Sequence, residues 1–208
     1  HLCGAEQHTL LRRKDRNGKH VNSFICDICG FIFVLPRPNN IEIEKLYVEG
    51  DFSIIGRKSK QATSQKIKQS EETAYRHFKQ LEEKLGEHLY KNGSSCLEIG
   101  CGIGSFLRYM KASGWQVRGL EPDHEFSAKG RELYDVEIDN ELLEKYNSND
   151  KFDLISSFHV IEHVNNPNSF LAKIHALLNE EGYLYLECPT VDYLYGDTID
   201  FFFWDVHI

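Results

Sequence analysis

Leu97-Glu98-Ile99-Gly100-Cys101-Gly102-Ile103-Gly104-Ser105 is the stretch on which the reading of this chain turns. It follows a short apolar strand, residues 95–99, and opens a helix that carries Phe106, Leu107 and Met110 on one face. A ligand pressed against a strand-to-helix turn leaves no room for Cβ atoms, and glycine supplies both the space and the unusual backbone angles. The spacing is Gly-x-Gly-x-Gly. In the nicotinamide fingerprint the third glycine would stand where this chain has Ser105. Glu98, two places before the first glycine, would repel a diphosphate at the helix start but would suit a cationic ligand.

The chain continues from this loop in a strand–helix alternation. Residues 116–120 form a second strand, and Asp123 caps a helix bearing Phe126 and Leu133. Residues 136–138 are a weak third strand and residues 152–158 a strong fourth. Asn166-Pro167 starts a helix whose apolar face is Phe170, Leu171, Ile174, Leu177 and Leu178; Glu181-Gly182 then turns into a strand over 183–188. This order predicts an α/β, Rossmann-like doubly wound sheet, mostly parallel, with helices on both faces. Glu121 ends the second strand, seventeen residues after Gly104. An acid there can accept hydrogen bonds from both ribose hydroxyls of an adenosine, although starting the turn at Pro122 is a purely structural alternative.

Upstream, Ile67, Glu71, Ala74, Phe78, Leu81, Leu85 and Leu89 recur at helical spacing, with Asn92-Gly93 as the expected stop and a polar stretch over 51–65. Residues 1–40 are short and β-like, with strand candidates at Phe24-Ile25 and 31–35 around a Cys26-x-x-Cys29-Gly30 turn, closed by Pro36 and Pro38. The expected organisation is a small zinc-ribbon-like segment over 1–40, a helical connector over 41–93 and the Rossmann-like domain over 94–208.

Composition narrows the function classes. With 24 Lys+Arg against 32 Asp+Glu the net charge is −8, whereas a duplex-binding surface needs a basic excess. The local run Arg12, Arg13, Lys14, Arg16 and Lys19 reads as a solvated turn between strands. No apolar stretch approaches a membrane span, and no basic-then-apolar leader opens the sequence, so a cytoplasmic protein is expected. Six cysteines in 208 residues do not make a disulfide scaffold; Cys96, Cys101 and Cys188 read as small buried hydrophobes.

Taken in order, Leu97 to Gly104, Gly119-Leu120-Glu121-Pro122-Asp123, Phe152-Asp153-Leu154-Ile155, Val160-Ile161-Glu162-His163-Val164 and Gly182-Tyr183-Leu184 resemble the class I S-adenosylmethionine (SAM)-dependent methyltransferase family, over about residues 70 to 190. The resemblance implies that Glu98, Gly100, Cys101, Gly102 and Gly104 hold the methionine part of SAM and that Glu121 holds the ribose. It implies that Pro122 lines the adenine side, with Asp139 as the nearest match to the adenine-side acid. Phe158 and His159 are expected beside SAM, and His159 and His163 are the candidate general bases, since imidazole titrates near neutral pH. The run His159-x-x-Glu162-His163 also resembles the Glu-x-x-Glu-His arrangement of metal-assisted O-methyltransferases. His159 stands where that arrangement has its first acid, which argues against a metal there.

Cys26-x-x-Cys29-Gly30 is one half of a zinc knuckle, and Cys3-Gly4 supplies the downstream part of a second. The missing partner is expected just before His1, with His8 or His20 as alternatives. The pattern resembles a methyltransferase subgroup with an N-terminal zinc-binding domain, some of whose members act on sugars; it implies that Tyr47 and Tyr75 border the acceptor. Class I sheets have further strands after the fifth. Only about nineteen residues follow Pro189, ending in the apolar run 201–208, so the C-terminal strands are expected to be missing and the open sheet edge to invite a homodimer.

The expected function is methyl transfer from SAM to a small-molecule acceptor, with an oxygen on a sugar or related metabolite favoured, a structural zinc, and nucleic acid disfavoured as a partner. Two rivals stand beside it. One is an inactive methyltransferase-like protein with a zinc-ribbon binding module. The other is a nicotinamide oxidoreductase, against which the glycine spacing and Glu98 argue.

Overall fold

The computed structural model describes residues 2–14, 20–36, 62–90 and 93–189, together with Glu42 and Lys45. Tyr47, Asn92, Arg16, Lys19 and the apolar run 201–208 lie outside the described residues. The chain divides into two compact units, one of His1–Asn40, His159–Ala172 and Glu187–Ile208, the other of Ile41–Phe158 and Lys173–Leu186.

In the first unit, β1 (His8–Lys14), β2 (His20–Cys26) and β3 (Ile32–Leu35) form an antiparallel sheet in the order β1-β2-β3. Phe33, Val34 and Cys26 are buried in it, and the rings of Phe24 and Phe33 stack at 6.0 Å. The basic residues Arg12, Arg13 and Lys14 belong to strand β1 itself and not to a turn, because residues 8–14 pair with the length of β2. The same unit holds a short 3-10 turn, Ile161–His163.

The larger unit is built on a five-stranded sheet. Its strands are β4 (Ser95–Ile99), β5 (Gln116–Leu120), β6 (Glu137–Asp139), β7 (Phe152–Phe158) and β8 (Leu178–Glu187), in the spatial order β6-β5-β4-β7-β8. β4 pairs in parallel with both β5 and β7, and β5 with β6. The strand-order reversal beside β4 is where open α/β sheets bind ligands, beyond the carboxyl ends of the strands. Helices α1 (Ser64–Leu85), α2 (Ser105–Ala112), α3 (His124–Tyr134) and α4 (Pro167–Leu177) complete the Rossmann-like α/β fold. The core gathers Leu89, Cys96, Leu107, Met110 and Leu154, each fully buried, with Ala74, Leu81, Phe106 and Ile138.

Local chemistry sets the boundaries. Thr63 caps α1 by accepting from the Lys66 N–H at 3.5 Å. The helix stops at Gly86 rather than at Asn92-Gly93, because Gly86 takes φ 54° and its N–H returns to the Glu82 carbonyl. Leu89 then keeps the apolar spacing on a 3-10 turn, where its carbonyl accepts from the Trp115 indole. Asp123 caps α3, its Oδ1 accepting from the Glu125 and Phe126 N–H groups at 3.0 and 3.2 Å. β8 starts at Leu178, earlier than the Glu181-Gly182 turn predicts. Asn179 Nδ2 donates to Asp153 Oδ1 at 2.7 Å, and Gly182 passes so close to the Phe152 carbonyl that a Cβ would sit 2.9 Å from its oxygen. Cys96 and Cys101 are buried as expected, whereas Cys188, just past the end of β8, is exposed.

Candidate functional site

The glycine loop between β4 and α2 has all three glycines at positive φ: 71° at Gly100, 57° at Gly102 and 72° at Gly104. Its start is tied to the end of β5, since the N–H groups of Gly100 and Cys101 both donate to the Leu120 carbonyl, at 2.8 and 3.1 Å. The Gly102 N–H donates to Glu121 Oε2 at 2.7 Å, and Glu121 Oε1 accepts from the Asp123 N–H at 3.0 Å. Two glycines outside the motif make room for it. A Cβ on Gly119 would sit 2.4 Å from Cys101 Sγ, and one on Gly130 would sit 2.5 Å from the Ile103 carbonyl oxygen.

Glu98 and Glu121 are both buried, at 5% and 4% exposure. Glu98 Oε2 has no hydrogen-bond partner. Burial, and then the charge of Glu121, push the Glu98 carboxyl well above the usual carboxylate range, against the pull of the Leu107 N–H. Burial thus disfavours the charged form of the carboxylate expected to meet a cationic ligand. Ser157 Oγ, at the carboxyl end of β7, is a second buried polar atom without a partner.

Asp139 closes β6. Its carbonyl accepts from the Glu121 N–H at 3.0 Å, and its carboxylate lies 3.7 Å from Arg118 Nη1. Sequence reasoning passed over its neighbour Asn140, whose Nδ2 donates to the carbonyls of Glu121 and Pro122 at 2.7 and 2.8 Å. That side chain fixes the backbone on which the expected ribose and adenine contacts depend. The only sequence signal for it was its place two residues past the predicted strand end at Ile138. Phe158, at the end of β7, stacks on His77 of α1 with centroids 4.0 Å apart, and meets Tyr185 and Phe106 edge-on at 4.9 and 5.2 Å. His77 is buried at 3% exposure, and the sequence reading did not single it out.

In the smaller unit, to which Glu187 at the end of β8 also belongs, His159 has φ 56°, unusual for a residue with a side chain. Its Nε2 is 3.1 Å from Glu187 Oε1 and its Nδ1 is 3.5 Å from Glu162 Oε1. His163 Nε2 lies 3.9 Å from the same Glu162 oxygen. Glu162, and then Glu187, raise the His159 pKa despite its partial burial. Burial pushes Glu162 up, but His159 and His163 pull it below its ordinary value.

Cys3, Cys26 and Cys29 form the one potential metal-ligating group among the described residues, with their Sγ atoms within 4.8 Å of one another. The sulfurs of Cys3 and Cys26 are 3.6 Å apart. The turn is set by the Gly30 N–H donating to the Cys26 carbonyl at 3.0 Å, with Gly30 at φ 74°. Hydrogen bonds from the N–H groups of Cys29 and Ile28 bring the Cys26 thiol down to about 7. Neither His8 nor His20 joins the group. The His8 ring packs edge-on against Phe24 and Phe33, at 4.9 and 5.6 Å.

Residues 70–205 match the model of a family described as a methyltransferase domain. Among curated proteins, the chain is 30% identical over 95 residues to the ubiquinone biosynthesis O-methyltransferase of Rhodopseudomonas palustris (strain TIE-1), covering 43% of this chain and 38% of that one. It is 32% identical over 105 residues to the pavine N-methyltransferase of Thalictrum flavum subsp. glaucum, covering 47% of this chain and 30% of that one. The matched stretch thus spans well under half the length of either relative. Among solved structures, the DhpI–SAH complex superposes with a TM-score of 0.53 at 16% identity, over 72% of this chain and 71% of that one. The plantazolicin methyltransferase BpumL, solved with a substrate analogue and SAH, gives 0.52 at 19% identity, over 71% and 60%. Both share the fold. No helix among the described residues is long and apolar enough to cross a membrane.

Proposed function

We propose, for a chain that belongs to the methyltransferase-domain family, that it transfers a methyl group from SAM to a small-molecule acceptor, with an oxygen on a sugar or related metabolite as the acceptor site. The observation that carries this reading is the cradle at the end of β4. Three glycines at positive φ lie against a buried acid pair, one of whose oxygens, Glu98 Oε2, lacks a partner. An unpaired buried oxygen is costly, and a ligand bearing a cationic amine removes that cost. In this reading Glu98, Gly100, Cys101, Gly102 and Gly104 hold the methionine part, Glu121 the ribose, and Pro122 and Asp139 the adenine side.

SAM supplies a methyl group already activated by the positive charge on sulfur, so the protein's share is alignment and exclusion of water. The glycine loop removes side chains from the cofactor's path, and Asn140 holds the Glu121–Pro122 backbone in place. Phe158 is the expected neighbour of the cofactor; His77 fixes its ring. Where the acceptor is a hydroxyl, its proton must go to a base, and His159 and His163 are the residues assigned to that side.

The reading extends to a structural zinc held by Cys3, Cys26 and Cys29, supported by the convergence of three thiol sulfurs, and so to the subgroup with an N-terminal zinc-binding domain. It places the enzyme in the cytoplasm. It includes a homodimer, since β8 ends the described sheet and exposes Tyr183 and Leu184. Calorimetric titration with SAH, with NAD as control, tests the core of the reading. Micromolar binding of SAH alone is expected. Binding of NAD alone would overturn it in favour of an oxidoreductase.

A further inference from the structure

His159 is gripped by one partner at two points. Its main-chain N–H donates to the Glu187 carbonyl at 2.8 Å, and its Nε2 lies 3.1 Å from the Glu187 carboxylate. The opposite ring nitrogen faces Glu162 at 3.5 Å. A residue with a side chain at φ 56° is strained, and such strain persists only where the surroundings over-determine the conformation. Glu187 is the last residue of β8, and Glu162 lies in the 3-10 turn just after His159. Their two carboxylates therefore join a strand end to a turn through one imidazole ring.

We propose that Glu187 is a positioning residue: with Glu162 it clamps the His159 ring between two carboxylates, and so fixes the turn that carries His159, Glu162 and His163. Carboxylates only accept hydrogen bonds. A ring with a carboxylate oxygen at each nitrogen must donate from both, and only the imidazolium does so. Among the described residues, Glu162 and Glu187 act on that charge, and His163 reaches the same Glu162 oxygen at 3.9 Å. Glu162 Oε1 is shared between the two histidines, while its Oε2 is buried without a partner. The exposed Cys188 stays a neutral thiol, pushed up by its partial burial and by the charges of Glu162 and Glu187. His159 so held is a charged brace. It cannot take a proton from an acceptor until it leaves one of its two carboxylates, which sets it apart from the resting base that its place in the sequence suggested. The importance of this turn for acceptor chemistry rests on the methyltransferase reading.

The test is a pH titration of the imidazole nitrogens of the 15N-labelled full chain by NMR, with H159Q assigning the His159 signal. In the wild type, His159 is expected to remain doubly protonated through neutral pH. In E187Q its midpoint is expected to fall by about one pH unit, tenfold in proton affinity. E187D is expected to restore most of the difference, and E162Q to lower the midpoint by at least as much as E187Q, since Glu162 is the larger cause of the raised His159 pKa. A His159 midpoint that is the same in wild type, E187Q and E162Q would overturn the proposal, as would a neutral ring in the wild type at neutral pH. SAH binding by the wild type is measured on the same sample. Its absence overturns the methyltransferase reading, whereas an unmoved midpoint overturns the brace alone.

Discussion

The N–H of Gly102 and the carboxylate of Glu121 meet at 2.7 Å across nineteen residues of chain. This hydrogen bond ties the centre of the glycine loop to the end of the neighbouring strand. The second Glu121 oxygen reaches forward to the Asp123 N–H at the start of α3. One buried carboxylate thus organises both the loop expected to hold methionine and the turn expected to hold adenine. The proposed ribose role is compatible with this scaffolding, since a carboxylate oxygen can accept from more than one donor.

Replacing Glu121 with Ala removes both ties as well as the proposed ribose contact. SAH binding is expected to weaken by roughly 1–3 kcal/mol, the range for losing charge-assisted hydrogen bonds at a buried site. Calorimetry on Glu121→Ala and Glu121→Gln measures it. An unchanged dissociation constant in both variants contradicts the ribose assignment.

Gly119 tests the packing beneath the loop, through Cys101 and Leu107. It sits on β5 opposite Glu98 in the parallel register, and a Cβ there would stand 2.4 Å from Cys101 Sγ and 2.9 Å from Leu107 Cδ1. Gly119→Ala is expected to destabilise the fold by about 1–3 kcal/mol, as overpacked cores do. A fall in the urea midpoint with unchanged slope is the expected result. A wild-type midpoint would mean that Cys101 moves aside freely and that the loop is not wedged.

The limits of sequence reading follow from the range of the interactions. β4, β5 and β7 have the bounds that their apolar runs predict, and Asp123 and Pro167 begin helices where capping chemistry places them. These features are local, decided within a few residues. Asn140, His77 and Glu187 were not legible. Each meets a partner eighteen or more residues away, brought close only by the strand order. The upward shift of the Glu98 pKa was illegible for a related reason: an acid in a motif reads as a charge until burial is known. The full extent of β8 was hidden by Glu181-Gly182, a good turn signal overridden by the tie from Asn179 to Asp153.

The cysteine group gives a prediction independent of the SAM site. Cys26 is the buried member, and its neighbours Cys3 and Cys29 are exposed. Cys26→Ser is expected to abolish bound zinc, measured by elemental analysis of protein purified without chelator, and to loosen the β1–β3 sheet. Metal binding and folding are coupled in small sites of this kind. Equal zinc content in variant and wild type would remove Cys26 from the ligand set.

Glu98 ties stability to pH in a direction that can be worked out. Its folded-state pKa lies above the unfolded one, because burial and the Glu121 charge disfavour its ionised form. The folded protein therefore keeps a proton that the unfolded chain releases. The stabilisation is fully present below the unfolded value of about 4 and is lost as pH rises from there through the folded one. Glu98→Gln keeps an acceptor for the Leu107 N–H but needs no proton. Its urea midpoint is expected to exceed that of the wild type at neutral pH, with the difference shrinking towards pH of about 4. The same proton gives a second readout. If the ligand's cationic amine is met by an ionised Glu98, SAH binding by the wild type releases a proton to solvent. That release appears as a dependence of binding enthalpy on buffer ionisation enthalpy, and Glu98→Gln lacks it. A variant with the same pH profile of stability as the wild type and the same buffer dependence would mean that Glu98 is ionised in the empty site.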